Sequence, residues 1–337
     1  MKSIFAPKRQ LGQIKMSTDK AGSIAVITMV RDDEMFLTRW IRYYSSIFGK
    51  KNLYVIVHGD NAEIERLASG CSLVKIPTRG RRDTVGQAFY NGDRADLVEG
   101  LTAGLLKYHK FVIYTDVDEF VVLDPSVGPN IVDFINRCDE GTVLSPFGLE
   151  VVHLRGEETE SIASGDRVLA MRRYCRIAPR YTKPIIVGKP VRWSGGFHHS
   201  THPKLNVPQG LYCFHLKWMD YKNSICTHYA RAMNKLDSAV PAEGEVPVDQ
   251  LQFPLRAAVE AVFSEAENRP RTENFEFDDA ILFYVKTWRM RTYLLQKDYW
   301  MSLIGDGDSR YIKYWRFSDY MENRLYKIPE RFALLPI

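Results

Sequence analysis

Two aspartates one residue apart, Asp116 and Asp118, stand at the end of the apolar run Phe111-Val-Ile-Tyr-Thr115. Such a run after a helical segment is the pattern of a buried parallel strand. In open α/β sheets, ligands bind outside the carboxyl ends of these strands. Paired carboxylates there suit a hard divalent cation, Mn²⁺ or Mg²⁺, which can neutralise a phosphate. The same spacing also describes two solvated side chains at a turn, so neighbouring elements must decide between the two.

Three further groups of residues bear on that decision. Arg31, Asp32 and Asp33 follow one predicted strand, Asp60 follows the next, and Arg79, Arg81 and Arg82 crowd the segment Pro77 to Gly92. Strand-end carboxylates suit a nucleoside, and arginines suit phosphates. Arg31, Asp60, Arg81 and Asp116 are therefore the expected nucleotide-binding set, although a solvated basic loop would read the same way. Neither G-x-G-x-x-G nor the P-loop pattern occurs. His198, His199, His202 and His215 form a histidine-rich second half; an imidazole is a common nitrogen ligand, and His215 is expected to join Asp116 and Asp118 at the metal. A loop histidine bonded to a backbone carbonyl is the competing reading for each. Glu150, Glu157 and Glu158 are candidate general bases for activating a hydroxyl, with Glu150 placed as the catalytic one.

The elements that must position these residues are legible from periodicity. Ser23 to Val30, Leu53 to Val57 and Leu73 to Ile76 read as strands. Between them, Leu37, Trp40, Ile41, Tyr44, Ile47 and Phe48 repeat on one helical face, with Asp32 or Asp33 as cap and Gly49 as stop. A short helix spans Ala62 to Ser69. This β-α-β-α-β order predicts a parallel sheet. Asp93 to Tyr108 reads as the helix feeding the Phe111 strand, and Glu119 to Leu123 as another short strand. A helix at Ile131 to Cys138 and a strand at Thr142 to Ser145 follow. Beyond Pro146, short strands are expected at Val168 to Tyr174, Lys183 to Val187, Val191 to Trp193 and Leu211 to His215. The C-terminal part reads as helical, notably Asp278 to Lys297.

The chain has 337 residues, 45% hydrophobic and 26% charged, an ordinary globular composition. A net charge of +5 is too small and too dispersed to favour nucleic acid as partner. The aromatic and basic stretch from Trp288 to Arg316 is compatible with contact at a membrane surface or with a packed helical subdomain. Five scattered cysteines without a C-x-x-C pair indicate no zinc knuckle or disulfide framework. With no apolar signal-like segment, the expectation is a cytoplasmic protein, with peripheral contact at the inner membrane face as an extension.

Ile27-Thr-Met-Val-Arg-Asp-Asp-Glu34 with its Leu37/Trp40/Tyr44 helix, Tyr114-Thr-Asp-Val-Asp-Glu-Phe120, and Phe147-Gly148 followed by Lys183-Pro-Ile-Ile-Val187 and Leu211-Tyr-Cys-Phe-His215 occur in that order. Together they resemble family-2-like glycosyltransferases of the GT-A fold, in the branch shared with DUF23/family-92 galactosyltransferase-like proteins. The resemblance spans Ile24 to Lys222. It implies a Rossmann-like, mostly parallel mixed sheet flanked by helices, with a C-terminal helical extension. The expected organisation is a lead-in at 1–22, a GT-A domain at 23–241 and the extension at 250–337. The implied activity is inverting, metal-dependent transfer of a hexose from a nucleotide sugar, UDP-linked, to a saccharide or glycoconjugate hydroxyl. Asp32-Asp33 stands where the family commonly has Asn-Glu, and Leu216 follows His215 where Tyr is common. A nucleotidyltransferase, or a nucleic-acid or membrane-surface binding protein, is the alternative.

Overall fold

The computed structural model describes residues 23–77, 84–226, 248–285 and 324–337. The first strand, β1 (Ile24–Val30), is buried along its whole length, as its run rich in β-branched and apolar residues leads one to expect. Helix α1 (Glu34–Phe48) follows, then β2 (Leu53–His58), α2 (Ala62–Leu67), β3 (Ser72–Ile76), α3 (Thr84–Leu105) and β4 (Phe111–Tyr114). Strands β3, β2, β1 and β4 lie side by side in that order, all parallel. Strand order therefore reverses between β1 and β4, and such a switch point opens a crevice at the carboxyl edge of a parallel sheet. Val30 of β1 pairs with Val57 of β2, and Ile27 with Tyr114 of β4, so Arg31, Asp60 and Asp116 all emerge at that edge. Two short strands complete this sheet: β9 (Ile186–Val187) pairs antiparallel with β4, and β6 (Val143–Leu144) pairs antiparallel with β9.

The second sheet holds β5 (Glu119–Leu123), β10 (Leu211–Trp218), β7 (Phe147–Val152), β8 (Tyr174–Ile177), β12 (Leu325–Lys327) and β11 (Arg271–Thr272), adjacent in that order. Asp116 to Asp118 is the crossover between the two sheets. Thr115 N–H still donates to Ile27 in the first sheet (3.1 Å), while Asp118 C=O already accepts from Leu216 in the second (2.9 Å). The protein is thus a mixed α/β fold of two six-stranded sheets, among the described residues, flanked by helices. No helix among those residues is long and apolar enough to cross a membrane.

Several local expectations shift. Gly49 does stop α1, at φ +77°, but the Asp33 side chain makes no cap hydrogen bond. Helix α3 starts at Thr84, inside the segment expected as a loop. Val168–Met171 is a helical turn, and the strand expected there begins only at Tyr174. Pro184 has no N–H to give a ladder, and β9 forms two residues beyond it, leaving Lys183 outside the strand. Val191 to Trp193 contributes only the bridge Trp193↔Ser200. The C-terminal part contains the expected helices, Val248–Glu267 and 278–285, but also returns two strands to the second sheet. The stretch from Trp288 to Arg316 lies outside the described residues.

Gly148 explains one conspicuous dipeptide. A Cβ there would stand 2.7 Å from the Thr182 nitrogen and closer still to the Ala178 carbonyl. The glycine lets the turn Pro179–Tyr181 lie directly on β7, where Gly148 N–H also donates to Thr182 Oγ1 (2.9 Å). We predict that Gly148→Ala costs roughly 1–3 kcal/mol, the range of overpacking substitutions. Urea denaturation measures this, and a cost near zero would contradict the contact.

Candidate functional site

The crossover is held from outside by α1. Its apolar stripe faces the core, and three of its aromatic side chains carry polar tips. Trp40 Nε1–H donates to Thr115 Oγ1 (2.8 Å), Tyr43 Oη to the Val121 carbonyl (2.7 Å) and Tyr44 Oη to the Glu119 carbonyl (3.1 Å). Val121 N–H returns a bond to Tyr44 Oη (2.8 Å). The helix predicted from the first block of sequence thus grips the Asp116–Asp118 loop on both flanks.

Asp116 is paired with two cations of the chain. Arg94, on α3, binds its Oδ1 and the Tyr114 hydroxyl. Lys183 Nζ lies 3.1 Å from its Oδ2 and 2.5 Å from Glu119 Oε1. Lys183 is 1% exposed. Burial opposes its charge, but the two carboxylates raise its pKa above the ordinary lysine value. Burial would likewise raise the Asp116 pKa; Arg94 and Lys183 outweigh it and hold the carboxyl below the usual range. Phe197, from the histidine-rich loop, stacks on Tyr114 with ring centroids 4.0 Å apart and lies under the Arg94 guanidinium.

Asp118 meets the second sheet. Ladder register places Glu119 of β5 opposite His215 of β10, His215 opposite Glu150 of β7, and Glu150 opposite Arg176 of β8. Directly paired residues share a face, so these four side chains form one transverse row. His215 Nδ1–H donates to Glu150 Oε1 (2.9 Å), and its Nε2 stands 3.5 Å from Asp118 Oδ2. Arg176 engages Glu150 Oε2 through Nε (2.8 Å) and Nη2 (2.5 Å). Burial disfavours every charge here, yet the partners prevail. Arg176 and His215 pull Glu150 down to about 2, and Asp118 and Glu150 lift His215 to about 9. Tyr181 lies flat on the His215 ring, centroids 3.7 Å apart.

The expected residues therefore separate. Asp118 and His215 face each other (3.5 Å), whereas Asp116, the third expected metal ligand, is engaged by Arg94 and Lys183. Arg31, beside Asp32 (3.2 Å), and the exposed Asp60 stand at the same sheet edge. Arg81, with Arg79 and Arg82, lies outside the described residues. Glu150 sits differently from its expected role as base. It is buried, it gives one oxygen to His215 and the other to Arg176, and its depressed pKa suits an orienting carboxylate. Glu157 pairs with Arg271, and Glu158 accepts from Leu154 and Arg173 N–H groups. His198 and His202 donate to the carbonyls of Arg180 and Lys204 (both 2.6 Å), the bland alternative for loop histidines. Sequence reasoning missed Arg94, Lys183, Glu119 and Arg176. Lys183 had a faint signal, a lysine directly before the apolar run Pro184 to Val187.

No group of three or more metal-ligating side chains exists among the described residues. Asp118 and His215 do offer a carboxylate and an imidazole whose far nitrogen is oriented by a carboxylate, a common outer-shell arrangement around metals. In this cluster Asp116, Glu119, Asp118 and Glu150 face Arg94, Lys183, Arg176 and His215. These two ligands fit a divalent ion that takes its remaining oxygens from water and substrate phosphates.

No family model matches the chain, and no curated protein matches it. Among solved structures, it overlaps a mycobacterial protein at 14% identity over 42% of this chain and 46% of that one, with a TM-score of 0.27. The glycosyltransferase GlyE of Streptococcus pneumoniae TIGR4 overlaps at 14% identity over 42% and 33%, with a TM-score of 0.22. The galactosyltransferase LgtC, in complex with donor and acceptor sugar analogues, overlaps at 13% over 42% and 53%, with a TM-score of 0.22. The chain thus spans about a third to a half of these structures. Overlaps of this extent assign no activity.

Two outcomes follow from the electrostatics. Lys183→Met leaves the buried Glu119 carboxylate without its ammonium, Asp116 keeping Arg94, and we predict a loss of roughly 3–5 kcal/mol, the usual result of breaking a buried pair. Urea denaturation should show part of it restored by Glu119→Gln in the same chain; a single-variant loss under about 1 kcal/mol would refute the pairing. In EDTA, His215 has a raised folded-state pKa, so its stabilisation is full below the ordinary value of 6.5 and disappears as pH rises through about 9. The Tm gap between wild type and His215→Asn should narrow over that window. A gap independent of pH would show that His215 is not charged in the metal-free fold.

Proposed function

We propose that the protein is a metal-dependent glycosyltransferase that moves a hexose from a UDP-linked sugar to a saccharide or glycoconjugate hydroxyl. The supporting observation is the Asp118–His215 pair, oriented by Glu150, at the crossover that opens beside the β1/β4 switch point. Asp118 and His215 would hold Mn²⁺ or Mg²⁺, and the ion would neutralise the departing diphosphate. Arg31 and Asp60, at the ends of β1 and β2, would position the nucleoside. Arg81 and Arg94 would bind phosphate oxygens, for which a guanidinium fork is well shaped. Lys183 keeps Asp116 ionised and fixed beside them. Glu150 orients His215 and is not assigned the acceptor's proton. Inversion at the anomeric carbon comes from the family resemblance in Asp116-Val-Asp-Glu119 and its flanking blocks.

A thermal-shift panel of UDP-, GDP- and CDP-sugars with and without Mn²⁺ tests the donor class. We expect UDP-sugars to stabilise the protein only with metal, by about 2.7 kcal/mol at a hundredfold excess over Kd. Product analysis should then find a nucleoside diphosphate, and Asp118→Asn should abolish its release. Pyrophosphate as product would place the chain among nucleotidyltransferases. Undiminished turnover in excess EDTA would remove the metal from the account.

A further inference from the structure

We propose that Arg176 is a positioning residue for the metal site, acting through Glu150 to aim His215 Nε2 at the place beside Asp118. This rests on the metal reading above and adds a specific role that the reading does not require.

The geometry divides Glu150 between two partners. Both guanidinium contacts, at 2.8 and 2.5 Å, fall on Oε2, so Oε1 is left to accept from His215 Nδ1–H at 2.9 Å. Arg176, Glu150 and His215 are consecutive cross-strand partners on β8, β7 and β10, so the ladder itself sets their spacing. A carboxylate anchored on one oxygen keeps a fixed direction for its other lone pairs. The imidazole is therefore held in its plane by Glu150, while the stacked Tyr181 ring covers its face. Lys183 Nζ lies 5.6 Å from the same Tyr181 ring, on the turn that Gly148 admits. Outer-shell partners of this kind fix ring orientation and tautomer for a metal-binding histidine.

Simple Coulomb attraction makes the opposite prediction, which renders the role testable. Removing a positive charge from the row would, by charge alone, strengthen the binding of a cation. Losing the anchor on Glu150 would weaken it instead. Arg176→Met in the full chain is expected to weaken Mn²⁺ binding about 10- to 100-fold, the usual cost of an outer-shell partner, with Arg176→Lys retaining most of the affinity. The probe is Mn²⁺ alone, with free ion measured by electron paramagnetic resonance at fixed pH. Equal or tighter binding by Arg176→Met overturns the positioning role. If that variant does not fold, Arg176→Gln decides, with a smaller loss expected and an unchanged affinity overturning the proposal. Wild type that binds no Mn²⁺, or Asp118→Asn that binds it as tightly as wild type, overturns the metal reading itself and with it this role.

Discussion

The ammonium of Lys183 is the interaction on which the rest of the site depends. Asp116 and Glu119 lie three residues apart, Glu119 buried at the start of β5 and Asp116 partly buried just before it, and two carboxylates brought together out of water repel one another. Taking such ions from water costs several kcal/mol each unless a partner and further hydrogen bonds offset it. Lys183 supplies that partner, reaching both carboxylates from the far side of the crossover. Its backbone position is fixed in turn by the turn that rests on Gly148. The acidic loop, the buried lysine and the glycine therefore form one mechanical unit, although 35 residues separate Gly148 from Lys183.

That unit sits where two sheets exchange a chain. In the first sheet strand order reverses between β1 and β4, the kind of position at which parallel sheets bind ligands. The second brings a row of alternating charge, Glu119, His215, Glu150 and Arg176, to the same loop. Helix α1 fastens the loop between them with an indole N–H and two phenol hydroxyls. Asp116 thereby belongs to one half of the fold and Asp118 to the other. A ligand that engages both aspartates reports on the packing of both sheets.

Much of the first half was legible because its signals are local. The buried strands, the apolar face of α1 and the Gly49 stop follow from periodicity and backbone preference, and Asp116, Asp118 and His215 stand out by residue type. The second sheet was not, since a short apolar run such as Phe120 to Leu123 does not say which strand it will pair with. Charged residues were hardest. Arg94, Lys183 and Arg176 were given no role because burial and pairing across 22 to 67 residues have no local mark. Glu150 was visible as an acid, but not the partners that engage its two oxygens, His215 and Arg176.

The central claim is that Asp118 and His215 form the protein half of a cation site at the β1/β4 crevice. A crystal of the full chain grown with Mn²⁺ and UDP, measured at the manganese absorption edge, tests it directly. The account predicts one anomalous peak in contact with an Asp118 carboxylate oxygen and His215 Nε2, with diphosphate oxygens completing its shell. A manganese peak away from both residues, or a nucleotide bound at another edge of the sheet, would contradict it.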